Sequence, residues 1–312
     1  MDMTDLTQLP NVGEGTAAKM AEGGILTIMG VATSTPGQMS DACGVTAASA
    51  RKIINAARDL CKLGFESATD MEQKQINLKY IPTNCKTIDT LLGGGLQLGT
   101  TMEAFGQFSS GKTNLSHLFA VSTIKNFPDS YVVWIDTENT FSAKRIRQLA
   151  KGMDVDGDKV LAQIKVGKAV SSDHQILLTE SVEKEIVEGK LDVKLIIVDS
   201  LMNHFRAEYL GRGTLAGRQQ MINGYLHKIA GLVANYKLGV YMTNQIQSDP
   251  GMAFGDPNKA IGGNIVAHFA TTRLYLRKAA KGARKMVLVD SPDLPEGEAL
   301  FMIKEGKLES VE

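Results

Sequence analysis

One octapeptide constrains this chain more than any other feature, the segment GQFSSGKT at residues 106–113. It fits the pattern G-x-x-x-x-G-K-S/T, in which glycines let the backbone turn sharply and aim its N–H groups at phosphate oxygens. The apolar run 101–105 before it predicts a strand, and the run 114–121 after it predicts a helix. A strand, a glycine-rich loop and a helix in this order predict a nucleotide-binding α/β unit.

Two side chains of this loop have predicted roles in phosphate chemistry. We expect Lys112 to reach the β- and γ-phosphates and Thr113 to place its hydroxyl on Mg²⁺. The other expected ATP contacts come from the loop and the residue after it: Gly106, Gln107, Phe108, Ser109, Ser110, Gly111 and Asn114. The alternative is a glycine-rich turn with a chance lysine, which residue frequencies give in roughly one such chain in a hundred.

The composition is that of an ordinary globular protein. Of 312 residues, 43% are hydrophobic and 22% are charged, and the length favours two domains. The 34 basic residues balance the 34 acidic ones, so any basic surface must be local or built by assembly. No apolar run approaches the roughly 18 residues of a membrane span, and the acidic N-terminus lacks a signal-peptide pattern. Three cysteines without CxxC spacing predict reduced structural thiols in an intracellular compartment.

The sequence pattern divides the chain into three parts. Residues 1–62 predict a small helical domain, in which Thr46 is a plausible N-cap. Residues 63–79 are polar and predict a linker. From residue 80 to 312, runs that are apolar on both faces alternate with helical segments, as in a parallel sheet covered by helices. We therefore predict an α/β core with a mostly parallel central sheet, whose strands include 131–136, 195–199 and 238–243, with closing strands at 286–289 and 299–303.

Acidic and amide residues follow three of these predicted strands. Asp199 ends the run LIIVDS and is predicted to hold Mg²⁺ directly or through water. Glu138 lies just past a strand end, where a carboxylate can polarise the water that attacks the γ-phosphate, although a merely solvated loop acid is the alternative. Asp136 is predicted to be structural, and Ser142 to cap the next helix. Gln245 could sense the γ-phosphate or could satisfy a loop amide.

Several motifs in series carry a resemblance to a known family. The P-loop, WIDTENTF, LIIVDS, HFRAEYLGRGTLAGRQQ and GGNIVAHFATTRLYLRK resemble the RecA-like strand-exchange recombinases, archaeal RadA and its eukaryotic orthologues, from residue 9 to about residue 303. The resemblance implies a RecA-like P-loop ATPase core behind a helix-hairpin-helix domain. It implies an ATP- and Mg²⁺-dependent, DNA-stimulated ATPase that forms helical filaments on single-stranded DNA. Its implied activity is homologous pairing and strand exchange with double-stranded DNA in DNA repair and recombination.

The resemblance also implies roles at an ATP site shared between protomers. Arg145 matches an arginine that stacks on the adenine, and Gln245 matches the γ-phosphate sensor. His268 matches a position at the protomer boundary that approaches the neighbour's γ-phosphate. Asp290 and Pro295 lie in DSPDLPEGE, which resembles a cap over the adjacent protomer's ATP, with a monovalent cation such as K⁺ near Asp290.

Two segments match the family's DNA-binding loops. The first, 205–219, is expected to be flexible, and it carries Arg206, Tyr209, Arg212 and Arg218 among glycines. From the residues alone, a solvated loop with ordinary charges is an equal alternative. The second, 247–258, has no periodicity and should be mobile without DNA. Phe254 or Met252 is expected to wedge beside bases, with simple packing on the domain as the alternative for either residue. Gly262 and Gly263 are expected to offer N–H groups to the DNA strand.

Phe65 and Ala68 match the family's polymerisation motif. An exposed Phe65 needs a pocket, which a neighbouring protomer can supply, and such a head-to-tail contact propagates filaments or closes into rings. The alternative is a Phe65 buried within its own chain. Recombination mediator proteins are further implied partners, whereas a membrane is not.

Three positions depart from the family pattern, namely Gln107, Ser109 and Ser142. We expect these departures to affect nucleotide affinity or protomer contacts. Two other functions share much of this sequence pattern: an accessory recombinase paralogue that does not exchange strands, and a hexameric helicase of the same core fold. The cap segment and the N-terminal unit argue against the helicase. The implied location is cytoplasmic and nucleoid-associated in an archaeon, or nuclear in a eukaryote.

Overall fold

The computed structural model describes residues 4–209, 211–248 and 258–311. By mutual contacts the chain divides into two compact units, which are described separately. One consists of Met1–Leu78 with Glu180–Lys190, and the other of Lys79–Thr179 with Leu191–Glu312.

The N-terminal unit is helical, as predicted. A 3₁₀ turn at Leu6–Gln8 precedes α1 (Glu14–Glu22), α2 (Ile28–Thr33), α3 (Pro36–Cys43), α4 (Ala47–Leu60) and α5 (Ala68–Ile76). The predicted N-cap is confirmed, because Thr46 Oγ1 accepts the N–H of Ser49 at 3.3 Å. Buried apolar side chains such as Met20, Ile28 and Ile53 form the core of this unit.

Helix α5 lies inside the segment that the sequence predicts to be a linker. The hydroxyl of Ser67 accepts the N–H of Asp70 at 3.1 Å and so caps the helix. Glu66, just before the helix, forms an ion pair of 2.5 Å with Lys74 in its last turn. None of the helix residues is buried. Local capping rather than packing therefore accounts for this helix, and its apolar pattern is too weak to predict it.

The second unit contains the strands and the remaining helices. Its strands are β1 (Tyr80–Ile81), β2 (Leu96–Gln97), β3 (Thr101–Gly106), β4 (Tyr131–Asp136), β5 (Ile164–Lys168), β6 (Val193–Asp199), β7 (Gly239–Asn244), β8 (Ile246–Ser248), β9 (Asn258–Ala260), β10 (Thr272–Lys278), β11 (Arg284–Asp290), β12 (Gly297–Ile303) and β13 (Leu308–Ser310). Its helices are α6 (Lys86–Leu91), α7 (Lys112–Asn126), α8 (Ala143–Gly152), α9 (Gly157–Ala162), α10 (Ser172–Val187), α11 (Asn203–Glu208), α12 (Leu215–Tyr236) and α13 (Gly263–Phe269). The part of α10 from Glu180 onward belongs to the first unit.

A nine-stranded sheet in the order β13-β12-β11-β10-β3-β7-β6-β4-β5 forms the centre of this unit. The pairs from β10 to β5 are parallel, and the pairs from β10 to β13 are antiparallel. Strands β3 and β7 are buried along their whole length, which explains why most of their side chains are apolar. The predicted α/β class with a mostly parallel sheet is confirmed.

The parallel strands place their carboxyl ends at one edge of the sheet. There β3 leads into the P-loop, and β4, β6 and β7 end at Asp136, Asp199 and Asn244. Open α/β sheets bind their ligands at this edge, where the connections leave room for a crevice. None of the helices in the described ranges is long and apolar enough to cross a lipid bilayer.

Candidate nucleotide site

The P-loop joins β3 to α7 and has a shape that depends on glycine. A Cβ atom on Gly106 would lie 2.1 Å from the carbonyl oxygen of Leu276, so no other residue fits there without a backbone shift. Gly111 has φ +112° and forms the N-cap of α7, which begins at Lys112. The first N–H groups of α7 therefore open onto the loop, as an anion site at a helix N-terminus requires.

The side chains of the loop fit a phosphate ligand. The ammonium group of Lys112 donates to the carbonyls of Gly106 at 2.9 Å and Gln107 at 3.0 Å, so it lies over the loop. The hydroxyl of Ser110 is buried and has no hydrogen-bond partner among the described residues. Phe108 is almost fully exposed at the loop tip. Burial lowers the pKa of Lys112, while the nearby carboxylates of Asp199 and Glu138 act to raise it.

Asp199 is a buried carboxylate that two hydroxyl groups hold in place. The hydroxyl of Thr243 donates to Oδ1, and the hydroxyl of Thr140 donates to Oδ2 at 3.2 Å. Burial raises the pKa of Asp199, and these hydrogen bonds act to lower it. The nearby side chain of Thr113 also acts to lower the pKa of Asp199. A hydroxyl and a carboxylate are the hard oxygen donors that Mg²⁺ takes beside phosphates and water. The residues thus fit a magnesium ion bound together with a nucleotide.

Glu138 sits in a short loop that the end of β4 organises. The carboxylate of Asp136 accepts the N–H groups of Glu138 at 3.2 Å, Thr140 at 3.0 Å and Phe141 at 3.1 Å. These bonds give Asp136 the structural role predicted for it. The Glu138 carboxylate accepts a hydrogen bond of 2.8 Å from the side-chain amide of Gln245. The structure therefore brings the two residues together from the ends of β4 and β7.

A buried network behind Gln245 was not predicted from the sequence. Glu103 on β3 is fully buried and forms an ion pair of 2.8 Å with Arg273 of β10. Its other oxygen accepts a hydrogen bond of 2.8 Å from Asn244, which also donates to the carbonyl of Ile261 at 2.6 Å. The sequence signal that could have indicated this network is Glu103, an acidic residue in the middle of the otherwise mostly apolar strand β3. A buried charge needs a partner, so such a residue predicts an ion pair or hydrogen bonds.

His117 is a second residue that sequence analysis missed. It lies on α7, four residues after Thr113, and is buried. Its Nδ1 is 2.7 Å from the carbonyl oxygen of Thr113, and its Nε2 accepts the N–H of Ser142 at 2.9 Å. Burial lowers the pKa of His117 to about 4, so the ring is neutral at ordinary pH. The predicted cap is confirmed, because the Ser142 hydroxyl accepts the N–H of Arg145 at 3.2 Å.

Other predicted ATP residues occupy separate elements. The guanidinium of Arg145 on α8 donates to the carbonyls of Glu305 and Lys304, between β12 and β13. His268 is exposed on α13 and lines a cavity of about 370 Å³ between α12 and α13. Asp290 ends β11, and Pro295 lies in the exposed turn before β12. Their roles at an ATP site stay predictions.

The first predicted DNA-binding segment is more regular than expected. Instead of a flexible loop, residues 205–219 include the end of α11, a 3₁₀ turn at Arg212–Thr214 and the start of α12. Phe205 is buried against Tyr225, with ring centroids 5.8 Å apart. Helix α12 buries a row of apolar side chains along one face. Because this packing stabilises the helix, its first turns extend into residues 215–219 of the segment. Arg206 is exposed on α11, Tyr209 donates to the sulfur of Met221, and Arg218 is half-buried on α12.

The second predicted DNA-binding segment is only partly described. Phe254 and most of the segment lie outside the described residues. At its ends, β8 and β9 pair antiparallel, with Gln247 opposite Lys259. Gly262 has φ +100° and is the N-cap of α13, where a Cβ atom would approach the side chain of Val266 to 2.6 Å. Gly263 follows with φ +62°, so both predicted N–H donors lie at a helix start.

Comparison with known proteins gives matches over most of the chain. The family model described as Rad51 matches residues 74–311, and that of a SAM-like helix-hairpin-helix tandem matches residues 3–59. The chain is 41% identical to the DNA repair and recombination protein RadA of Methanocorpusculum labreanum, over 97% of this chain and 98% of that protein. It is 42% identical to the protein of the same name from Methanoculleus marisnigri, over 99% of each chain. The chain therefore belongs to the RadA/Rad51 family of recombination proteins.

Proposed function

We propose that this chain, a recombination protein by family, is a DNA-dependent ATPase and homologous recombinase. It forms a helical filament on single-stranded DNA and catalyses homologous pairing and strand exchange. The observation that carries the proposal is the cluster of Lys112, Asp199, Glu138 and Gln245 at the carboxyl ends of neighbouring parallel strands. Nucleotide hydrolysis requires a P-loop lysine, a carboxylate that can bind Mg²⁺, and a general base held in position, and these residues supply all three.

The residues divide the work of hydrolysis. The P-loop N–H groups and Lys112 bind the phosphates, and a Mg²⁺ ion held by Thr113 and Asp199 neutralises phosphate charge when it is bound. Glu138 orients a water molecule and accepts its proton. Gln245 fixes the Glu138 carboxylate through the 2.8 Å hydrogen bond. In the assembled filament, Arg145 stacks on the adenine, while the neighbouring copy contributes His268, Asp290 with a K⁺ ion, and Pro295.

DNA binding in this proposal uses both units of the chain. The helix-hairpin-helix unit contributes backbone N–H groups to phosphates, a contact that does not depend on base sequence. The core contributes Arg206, Tyr209, Arg212 and Arg218 at the junction of α11 and α12, and Phe254, Gly262 and Gly263 around the second segment. Because the chain has no net charge, these local basic groups rather than an overall field attract DNA. We place the protein in the compartment of the cell that contains DNA.

Self-association rests on an exposed aromatic residue. Phe65 is fully exposed, and Ala68 begins α5 three residues later. The domain boundaries that we propose, 1–62, 63–79 and 80–312, leave Phe65 in the connecting segment. Strand β5 forms one edge of the large sheet. Val166 on this strand and Val170, just after it, are exposed apolar residues. A Phe65 that docks on this edge of a second copy makes a head-to-tail contact, which repeats into a filament.

Hydrolysis with and without single-stranded DNA tests the enzymatic part of the proposal. The wild-type chain should hydrolyse ATP faster with DNA, and Lys112→Ala should lose nucleotide binding or turnover. Lys125→Ala, which removes an exposed lysine from the same helix, is the matched control and should behave as wild type. Near-normal ATPase in Lys112→Ala would contradict the P-loop assignment.

A further inference from the structure

Several hydrogen bonds fix the loop that carries Glu138, among them that of Gln245 to Glu138 itself and that of Thr140 to Asp199. From the strand side, the Asp136 carboxylate binds the N–H groups of Glu138, Thr140 and Phe141. From the helix side, the His117 ring binds the N–H of Ser142 at 2.9 Å. Asp136 is the buried last residue of β4, so it ties the loop to the central sheet. Among the described residues, His117 makes the hydrogen bond that joins Ser142, the last residue of the loop, to the P-loop helix α7.

The two hydrogen bonds of His117 determine which ring nitrogen carries the proton. Because Nε2 accepts from the Ser142 amide, the neutral ring must be protonated at Nδ1. Nδ1 therefore donates to the carbonyl of Thr113 at 2.7 Å. The imidazole forms a rigid bridge from the residue expected to hold Mg²⁺ to the end of the Glu138 loop.

Aromatic packing keeps this bridge in one orientation. The His117 ring lies 4.6 Å from the Trp134 ring and 6.0 Å from the Phe141 ring, measured between centroids. Trp134 is fully buried on β4, and its ring packs edge-on against Phe141 at 5.2 Å. The ring cannot turn without displacing these neighbours, and water is excluded from the bridge.

We propose that His117 is a positioning residue for ATP hydrolysis, because it fixes the loop that carries Glu138 relative to Thr113 and the P-loop. The inference rests on the proposed function and adds a residue to its catalytic machinery. Glu138 lies four residues before Ser142 in a loop with half-buried and exposed side chains. Without the Ser142 anchor, the carboxylate would be aimed less closely at the attacking water. A displacement of about 1 Å in a catalytic group costs on the order of 100-fold in rate.

Two amide substitutions separate the two hydrogen bonds of the ring. In His117→Gln the side-chain amide reaches the position of Nε2, so it can still accept from the Ser142 N–H. In His117→Asn the shorter amide reaches only the position of Nδ1, so it keeps the bond to the Thr113 carbonyl and loses Ser142. Both variants remove the ring and its stacking on Trp134. They therefore control for each other in size, polarity and lost aromatic contact.

The experiment compares the wild-type chain, His117→Asn and His117→Gln by steady-state ATP hydrolysis with single-stranded DNA, nucleotide binding, and hydrogen exchange of residues 138–142. His117→Asn should lower kcat by about 10- to 100-fold at nearly unchanged ATP affinity, with faster exchange in this loop. His117→Gln should keep most of the wild-type kcat, and hydrogen exchange of residues 138–142 should be nearly as slow as in the wild-type chain.

Two results would overturn the inference. One is a His117→Asn variant with wild-type kcat and wild-type loop exchange. The other is an equal loss in both variants that follows lost ATP affinity or thermal stability, which would make His117 a packing residue only. A wild-type chain without ATPase activity would refute the proposed function instead. In that case the exchange measurement would still decide whether His117 holds the loop.

Discussion

The side-chain amide of Gln245 donates a hydrogen bond of 2.8 Å to the carboxylate of Glu138, so the expected sensor and the expected base are in direct contact. The backbone of Gln245 is tied on its other side, since its carbonyl accepts the N–H of Ile261 at 3.0 Å. Ile261 lies three residues after the second predicted DNA-binding segment and immediately precedes Gly262. Gln245 thus links the carboxylate predicted to act in hydrolysis to the residues that follow that segment, which is a physical basis for coupling between the two predicted sites.

The first prediction concerns that link. Gln245→Ala should keep ATP binding but reduce the stimulation of hydrolysis by single-stranded DNA by about tenfold, because it removes the contact to Glu138. Measurement of ATPase rates across a DNA titration checks this. Lys125→Ala, at an exposed position of α7 outside both predicted DNA-binding segments, is the control. Full stimulation in Gln245→Ala would separate DNA sensing from this contact.

Replacement of Glu138 tests its role as the base. Glu138→Gln retains the size of the side chain and an oxygen that can accept from Gln245, but it cannot take a proton from water. We expect kcat for ATP hydrolysis to fall by on the order of 100- to 10,000-fold with nucleotide affinity unchanged. Equilibrium binding of a fluorescent nucleotide and steady-state turnover measure the two quantities. Lost binding would reassign Glu138 to a structural role.

Ser109 occupies a backbone conformation that favours glycine, with φ +63° in the P-loop. Ser109→Gly should therefore raise the free energy of unfolding by about 1 kcal/mol, since a side chain in the left-handed region costs that much. Urea denaturation of the whole chain measures the difference. Ser110→Gly serves as the control, because no positive φ occurs at that neighbouring, described position. Equal or lower stability of Ser109→Gly would show that the loop gains from serine there.

Self-association should depend on Phe65. Phe65→Glu places a charge in the contact between copies and should leave soluble monomers, as measured by light scattering. The matched control is Ile76→Glu, which changes another exposed apolar residue of the same segment. Filaments that persist in Phe65→Glu and disappear in Ile76→Glu would move the contact to α5.

Tyr225 predicts a pH dependence of stability. It is fully buried on α12, its hydroxyl accepts a hydrogen bond of 3.0 Å from Thr179, and burial raises its pKa to about 12. Unfolding exposes a phenol that loses its proton near pH 10, so the folded state binds more protons between pH 10 and 12. Stability is therefore lost as pH rises through this range, by about 2 to 3 kcal/mol in full.

The check is urea denaturation at several alkaline pH values for wild type and Tyr225→Phe. Below pH 10 the free energy of unfolding of the variant should be lower by about 1 kcal/mol, because the hydrogen bond to Thr179 is lost. Above pH 10 its free energy of unfolding should decline less steeply than that of wild type. The difference in slope isolates Tyr225 from other buried tyrosines such as Tyr241. Parallel declines would show that Tyr225 titrates normally in the folded chain.

The central strands could be predicted because both of their faces are buried. The runs before Asp136 and Asp199 are continuous and apolar, the run before Gly106 is apolar apart from Thr101 and Glu103, and each became a parallel strand. Strand β5 gave no such signal, since it is an edge strand with lysines at two of its five positions and three exposed side chains. Edge strands meet solvent and lack the continuous apolar pattern that identifies central ones.

The site was predictable where chemistry demands particular residues at strand ends. Lys112, Asp199 and Glu138 are such residues, and the fold brings their charges together. His117 was not predictable, because its partner Ser142 lies on another element and only the tertiary structure makes them neighbours. The helical character of residues 205–219 was also missed, since the glycines there suggested a loop while packing of α12 decided the outcome.

The most direct test of the account is strand exchange between homologous DNAs, measured with ATP, with a non-hydrolysable analogue and without nucleotide. We predict that joint molecules and exchanged strands form with ATP or the analogue, and that none form without nucleotide. Exchange that proceeds equally without nucleotide would contradict the role of the P-loop cluster. Absent exchange, with DNA binding and ATPase intact, would contradict the recombinase itself and favour an accessory paralogue.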